Sequence, residues 1–283
     1  MPEILETRLY RGHGNVRIAA TVAGNPSNPA VLLIHGGGQT RHAWNGTVRH
    51  LSGRGYYVTA MDLRGHGDSD WAPDGDYSLA AQTGDVRALL AEMPSPATVI
   101  GASLGGLIAL VTLGESPDTP AEALILVDVA PRVDPEGEAR IVNFMQAHPD
   151  GFASVEEAAE AVSRYNPNRP KPRDNSGLER NLRKIGNRYY WHWDPKLFDT
   201  LDARAKDAAR FDEAARHIRV PTLLVRGSRS DLVPEESVRH FLDVIPDARY
   251  VDVQDAGHMV VGDRNDAFRA ALIEFLEARR ETR

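Results

Sequence analysis

The chain has 283 residues, 42% of them hydrophobic and 26% charged, the composition of one large globular domain or of a domain carrying an insertion. With 33 basic and 40 acidic side chains the formal charge is −7 and no basic block occurs, which excludes nucleic acid as the main partner. Cysteine is absent, which rules out disulfides, cysteine nucleophiles and thiolate metal sites.

Residues 1–8 are charged and lack the apolar core of a signal peptide. The longest mostly apolar run, 102–113, falls well short of the ~20 residues that span a bilayer. No membrane partner and a cytoplasmic location are therefore expected. Two alternating segments, 4–10 and 16–23, flank Gly12-His13-Gly14-Asn15 and predict a β-hairpin at a sheet edge. Short, β-branched apolar runs follow at 31–34, 56–61, 97–100, 123–127, 222–225 and 249–253, each the length of a buried strand. Helical patterns at 43–54, 79–92, 104–113, 234–245 and 263–280 separate most of them. Strand and helix in alternation predict a mostly parallel sheet covered on both faces.

The alternation breaks between Pro131 and His217, where no strand pattern is evident. Ser154-Val155-Glu156-Glu157 is a capping box that starts a helix. Pro167, Pro170 and Pro172 mark an irregular connector, and helices are expected over 180–193 and 203–217. The chain thus divides into a core, 1–130 and 218–283, and an all-helical cap inserted as 131–217.

Gly101-Ala102-Ser103-Leu104-Gly105 fits G-x-S-x-G, directly after one strand run and directly before an apolar helical run. A sharp strand-to-helix turn there lifts Ser103 Oγ into the open, and the glycines let the backbone turn without Cβ clashes. His35-Gly36-Gly37-Gly38 follows another strand, and its glycines allow backbone N–H groups to approach a ligand. The N–H groups of Gly37 and Leu104 are the expected oxyanion hole. The loop lacks the Gly-Lys-Ser/Thr of a phosphate loop. A serine nucleophile needs a base and the base needs an orienting acid. His258, in the loop after the last strand, is the expected base; Asp231, after strand 222–225, is the expected acid, with Asp128 at the end of strand 123–127 as its rival. His35 and His66 are expected to brace their loops. No metal-binding pair of the H-E-x-x-H kind and no dinucleotide fingerprint occur, so no metal and no cofactor are expected. Tyr189-Tyr190-Trp191-His192-Trp193 places five rings in a row. Trp191 or Trp193 from the cap, with Trp44 or Trp71 from core loops, is expected to line a pocket for a small-molecule substrate with an apolar or aromatic group.

These pieces, together with Asp62-Leu63-Arg64-Gly65-His66-Gly67-Asp68-Ser69, resemble the α/β-hydrolase fold over essentially the whole chain. The Arg-Gly-His-Gly-Asp-Ser turn is characteristic of the branch that holds epoxide hydrolases, haloalkane dehalogenases, cofactor-free haloperoxidases and small esterases. The resemblance implies an eight-stranded, mostly parallel sheet with helices on both faces and a helical cap after the sixth strand. Epoxide hydrolases and dehalogenases use an aspartate nucleophile, so Ser103 points instead to a serine hydrolase of esters, thioesters or lactones. The same triad in related proteins also supports carbon–carbon bond hydrolysis, perhydrolysis or hydroxynitrile cleavage, and a low-turnover ligand-binding protein is the alternative outside catalysis.

Overall fold

A computed structural model describes residues 5–165, 175–200, 207–257 and 265–280. Ten strands are seen among them: β1 (Glu6–Arg11), β2 (Arg17–Ala23), β3 (Ala30–Ile34), β4 (Tyr57–Met61), β5 (Ala97–Ala102), β6 (Ala121–Val127), β7 (Leu182–Ile185), β8 (Arg188–Trp191), β9 (Thr222–Gly227) and β10 (Arg249–Val253). Eight form one sheet in the order β1-β2-β4-β3-β5-β6-β9-β10, with a short second sheet of β7 and β8. β2 runs antiparallel to β1 and β4; every other pair in the large sheet is parallel. The edge hairpin, the six core strands and the mostly parallel eight-stranded sheet are as the sequence predicts.

Alternate residues of β3 explain why its run is apolar throughout. Leu32 and Ile34 enter one core and Val31 and Leu33 the other. On the first face lie α2 (Leu79–Ala91), α3 (Leu104–Glu115) and α8 (Glu235–Val244), the last through Val238 and Phe241. On the second lie α1 (Asn45–Ser52) and the carboxyl-terminal α9 (Asn265–Arg280), through Val48, Leu51, Phe268 and Leu272. A strand buried on both faces has no polar alternate to show. Among the described residues no helix is long and apolar enough to cross a membrane.

The insertion carries α4 (Pro135–Gln146), α5 (Val155–Tyr165), the single turn α6 (Ser176–Glu179), the hairpin β7–β8 and α7 (Ala208–Arg216). α5 starts at Ser154 as expected, its Oγ accepting from Glu157 N–H at 3.2 Å. The helix expected over 180–193 is not there: 182–191 is an antiparallel hairpin, and the cap is not all-helical. The missed signal is Gly186-Asn187 between flanks rich in β-formers, with Gly186 at φ 60°. Three of the five rings, Tyr189, Tyr190 and Trp191, then alternate faces along β8, and the apolar ones need no helical stripe. α7 returns to the core against α3, where a Cβ on Gly114 would fall 2.2 Å from Ala214 O. Residues 166–174, which hold the three prolines, and 201–206, the start of the helix expected over 203–217, lie outside the described residues.

The cap has its own small core of Phe152, Ala158, Ala161, Trp191, Trp193 and Leu197, shared with Ala72 and Tyr77. Polar contacts then clasp residues 192–194 to the turn at 64–67. Asp194 N–H donates to Gly65 O at 2.9 Å and Tyr77 Oη–H to Asp194 Oδ2 at 2.5 Å. Gly67 N–H donates to His192 Nδ1 at 2.8 Å.

His192 is 2% exposed and His35 is fully buried. Burial pushes His35 down to about 3, and burial with His66 alongside does the same to His192. In the unfolded chain both titrate near 6.5. Their neutral forms therefore stabilise the fold fully above about pH 6.5, and this is lost as pH falls from there towards 3, where only the unfolded chain takes up the protons. Each lowers the folding constant by up to about tenfold per pH unit in that window. The urea midpoint should fall between pH 7.5 and 4.5, and fall less steeply in His192→Gln. Parallel pH curves for the two proteins would show that His192 carries none of the effect.

Candidate active site

The turn from β5 into α3 puts Ser103 at φ 48° and ψ −120°, a conformation in which a non-glycine residue is strained by on the order of 1–3 kcal/mol. It is held from both sides. Ser103 N–H donates to Val127 O at 3.0 Å, and Ser103 O accepts from Gly106 N–H and Leu107 N–H at 2.9 and 3.2 Å. The neighbouring glycines are required by contact: a Cβ on Gly101 would lie 2.4 Å from Gly105 O, and one on Gly105 2.5 Å from His35 O. Ser103 itself is partly exposed at the carboxyl edge of the sheet.

The His35-Gly36-Gly37-Gly38 loop runs beside it, the Cβ position of Gly36 being 3.2 Å from Ser103 Cβ. Two of its N–H groups are taken. Gly36 N–H donates to Gln39 Oε1 at 3.1 Å, and Gly38 N–H to His66 Nε2 at 3.2 Å. Among the described residues no partner meets Gly37 N–H. His35 Nδ1–H donates to Gly36 O at 2.8 Å, while its Nε2 accepts from Leu63 N–H at 3.0 Å. In a trans peptide C=O and N–H point opposite ways, so holding Gly36 O on one side aims Gly37 N–H to the other. Leu104 is the first residue of α3, so its N–H has no partner within the helix.

The characteristic turn after β4 is a support for this loop. Asp62, fully buried, accepts from Arg41 N–H at 2.6 Å and Asp68 N–H at 3.0 Å and also pairs with the Arg41 guanidinium. Arg64 forks onto Asp85 at 2.6 and 2.7 Å. Gly67, at φ 53°, has no room for a Cβ, which would fall 2.3 Å from Asp62 Oδ2. His66 Nδ1–H donates to Arg64 O at 3.2 Å, which leaves Nε2 to accept from Gly38. His35 and His66 both brace loops, as the sequence suggests.

The two acid candidates differ sharply. Asp128, at φ 50° after β6, is 1% exposed. Its Oδ1 accepts from Gly227 N–H at 2.9 Å and its Oδ2 from Ser230 Oγ–H at 2.6 Å. Gly227 in turn lies against the chain just before His258: a Cβ there would meet Gly257 O at 2.4 Å. Asp231 is turned outward, with a half-exposed side chain paired to Arg140 of α4. In the β9 loop it is Ser230, one position before the expected acid, whose side chain turns to Asp128. His258 lies outside the described residues.

The tryptophans separate as well. Trp44 is 1% exposed, with its ring 6.0 Å from Phe268 between α1 and α9. It packs the core and corrects the expectation of a pocket wall. Trp191 stacks on Trp193 at 4.9 Å and meets Phe152 edge-on at 5.1 Å, inside the cap core. Trp193 reaches the oxyanion loop, its Cζ3 3.2 Å from the Cβ position of Gly38. Met145 of α4 lies at 3.5 Å from that of Gly37, a contact the sequence does not announce. Trp71 faces a cavity of about 580 Å³ lined also by Thr40, His42, Arg180, Arg183 and His192. The Arg183 guanidinium lies 4.6 Å over its ring. Ser103 is not part of that cavity's lining.

The comparisons agree with this geometry. The model of the alpha/beta hydrolase fold matches residues 29–264. The Mycobacterium tuberculosis esterase Rv0045c is 31% identical over 91% of this chain and 84% of its own length. A 3-hydroxybutyrate-oligomer hydrolase of Cupriavidus necator is 28% identical over 86% of this chain and 87% of its own. Among solved structures, the enol-lactonase of Burkholderia xenovorans LB400 superposes with a TM-score of 0.73 at 26% identity, covering 95% of this chain and all of that one. A strained serine turn between two close-packed glycines, a glycine loop beside it, and a family match across both place the chain among enzymes of one kind: it belongs to the alpha/beta hydrolase fold family.

Proposed function

We propose that the protein is a serine hydrolase that cleaves a carboxylic ester, thioester or lactone through an acyl-enzyme on Ser103. The observation that carries this is the strained Ser103 turn beside the glycine loop, in which Gly37 N–H meets no partner among the described residues. Ser103 Oγ attacks the substrate carbonyl while His258 takes its proton. The oxyanion that forms is held by the N–H groups of Gly37 and Leu104. His258 then gives the proton to the departing alcohol or thiol, or to the freed end of an opened lactone. Water repeats the sequence on the acyl-enzyme and releases the acid. The relatives are named for an ester, a hydroxybutyrate oligomer and an enol-lactone, all acyl–oxygen bonds, which favours this reading over carbon–carbon cleavage.

The acid of the triad in this reading is Asp128. Its buried carboxylate accepts from Gly227 N–H and Ser230 Oγ–H, which hold it at the end of β6. Gly227 also lies against Gly257, the residue that precedes His258 in the sequence. Asp231 serves instead to tie α4 to the β9 loop through Arg140. The acyl pocket is bounded by Met145, Leu104 and Trp193, which suits an apolar group.

Ser103→Ala should abolish turnover of p-nitrophenyl esters, by on the order of 10⁶-fold in kcat, with the fold retained. A serine-directed phosphonate should label Ser103 in the parent protein; labelling of a different serine would end the assignment. Asp128→Asn should lower kcat by roughly 10⁴-fold through the wrong His258 tautomer, and Asp231→Asn by no more than a few-fold. The reverse ranking would return the acid to the β9 loop. Trp193→Ala should shift the preference between acetyl and bulky acyl esters, whereas Trp191→Ala should lower the melting temperature and affect both substrates alike. Equal losses in both variants would remove Trp193 from the pocket.

A further inference from the structure

Gly38 is gripped at both its polar groups, and one of the two grips comes from the cap. His66 takes its N–H. Its carbonyl accepts from His192 Nε2–H at 3.4 Å, 154 residues further along the chain. The proton must sit on Nε2, because Nδ1 is accepting from Gly67 N–H at 2.8 Å. His192 therefore bridges the Arg-Gly-His-Gly turn and the oxyanion loop with one ring. That ring lies 5.8 Å from His66 and 5.3 Å, edge-on, from Trp193, whose own edge closes on Gly38. Gly38 stands at φ 70°, a left-handed conformation in which its C=O direction is set by what holds it.

We infer that His192 is a positioning residue for the oxyanion hole: the cap, through this one ring, holds the Gly38 carbonyl and with it the far end of the glycine loop that carries the Gly37 N–H. The inference rests on the serine-hydrolase reading of the same site. The loop has a local brace in His35, which holds Gly36 O and so the peptide to which the Gly37 N–H belongs. It has no such local brace at Gly38, where both partners are distant in sequence. The Gly37 N–H keeps its aim only while the loop beyond it is held as well. The oxyanion bond is stronger in the transition state than in the bound ester, so a loosened aim lowers kcat and leaves KM nearly unchanged.

The test compares three variants of the full chain on p-nitrophenyl acetate and a p-nitrophenyl aryl ester. Competent sites are counted by stoichiometric phosphonate labelling of Ser103. His192→Phe keeps a ring of similar bulk and removes both hydrogen bonds. His192→Gln retains an acceptor and a donor. Asp194→Asn loosens the same cap segment at Tyr77 without touching Gly38. Expected per labelled site are a ~10–100-fold fall in kcat for His192→Phe on both esters with KM within about twofold, partial recovery in His192→Gln, and near-parental kcat in Asp194→Asn. The inference is overturned by a parental kcat per site in His192→Phe, by a change confined to KM, or by an equal kcat loss in Asp194→Asn. If His192→Phe does not fold, parental kcat per site in His192→Gln together with a reduced kcat in Asp194→Asn overturns it equally. Failure of the parent protein itself to take up the phosphonate overturns the underlying hydrolase reading instead, and the inference with it.

Discussion

The close approach of α3 to β3 and β5 is the constraint on which the rest of the structure depends. Ser103 can occupy its strained backbone conformation only because the chain on either side is locked, with Val127 holding its N–H and the first turn of α3 its carbonyl. Gly101 and Gly105 are there because nothing larger fits between the helix and the carbonyls of Ile34 and His35. That contact also brings the glycine loop after β3 alongside Ser103, since β3 and β5 are neighbours in the sheet. The proposed nucleophile and the proposed oxyanion donor are thus two consequences of one packing requirement.

From this contact outward, each layer exists to hold the one inside it. The glycine loop gives adaptable backbone and therefore needs external supports. His35 and His66 supply them as neutral imidazoles, each donating with one nitrogen and accepting with the other. Asp62, with Arg41, and Asp85, with Arg64, hold the turn on which His66 rides. These buried ion pairs are fully hydrogen-bonded, which is the condition under which charge is tolerated inside a protein. From the inserted segment between β6 and β9, His192, Trp193 and Met145 reach the glycine loop.

A division of labour follows inside the cap. Residues 192–194 are clasped to the core by hydrogen bonds at Gly65, Gly67, Gly38 and Tyr77, the last of them buried and those of His192 partly so. α4 is tethered through the surface pair of Arg140 with Asp231, and Gly137 packs close on Asp231 O. Surface ion pairs contribute little, about 0–1 kcal/mol, whereas a broken buried bond leaves an unsatisfied polar group. Residues 192–194 are accordingly fixed against the turn at 64–67, and α4 is the more weakly held part of the insertion.

The sequence by itself determined the sheet, the glycine-flanked serine, the loop after β3 and the turn after β4. Each is a local signal: a run buried on both faces, or glycines at positions where a Cβ has no space. It did not determine the hairpin of the cap, where the run of rings suits helix and strand alike and only pairing of 182–185 with 188–191 decided between them. Nor did it separate Asp128 from Asp231, which both follow strands. The course of the β9 loop turned Ser230 towards Asp128 and Asp231 out, and no local spacing encodes that direction. Trp44 looked like a loop residue near the site until α1 and α9 closed over it. His192 was one histidine among ten until the folded chain set it against Gly38 and Gly67. Local chemistry is written in neighbouring residues, but which side chains face each other across 100 or more positions is decided by the packing of elements, and that exists only in the tertiary structure.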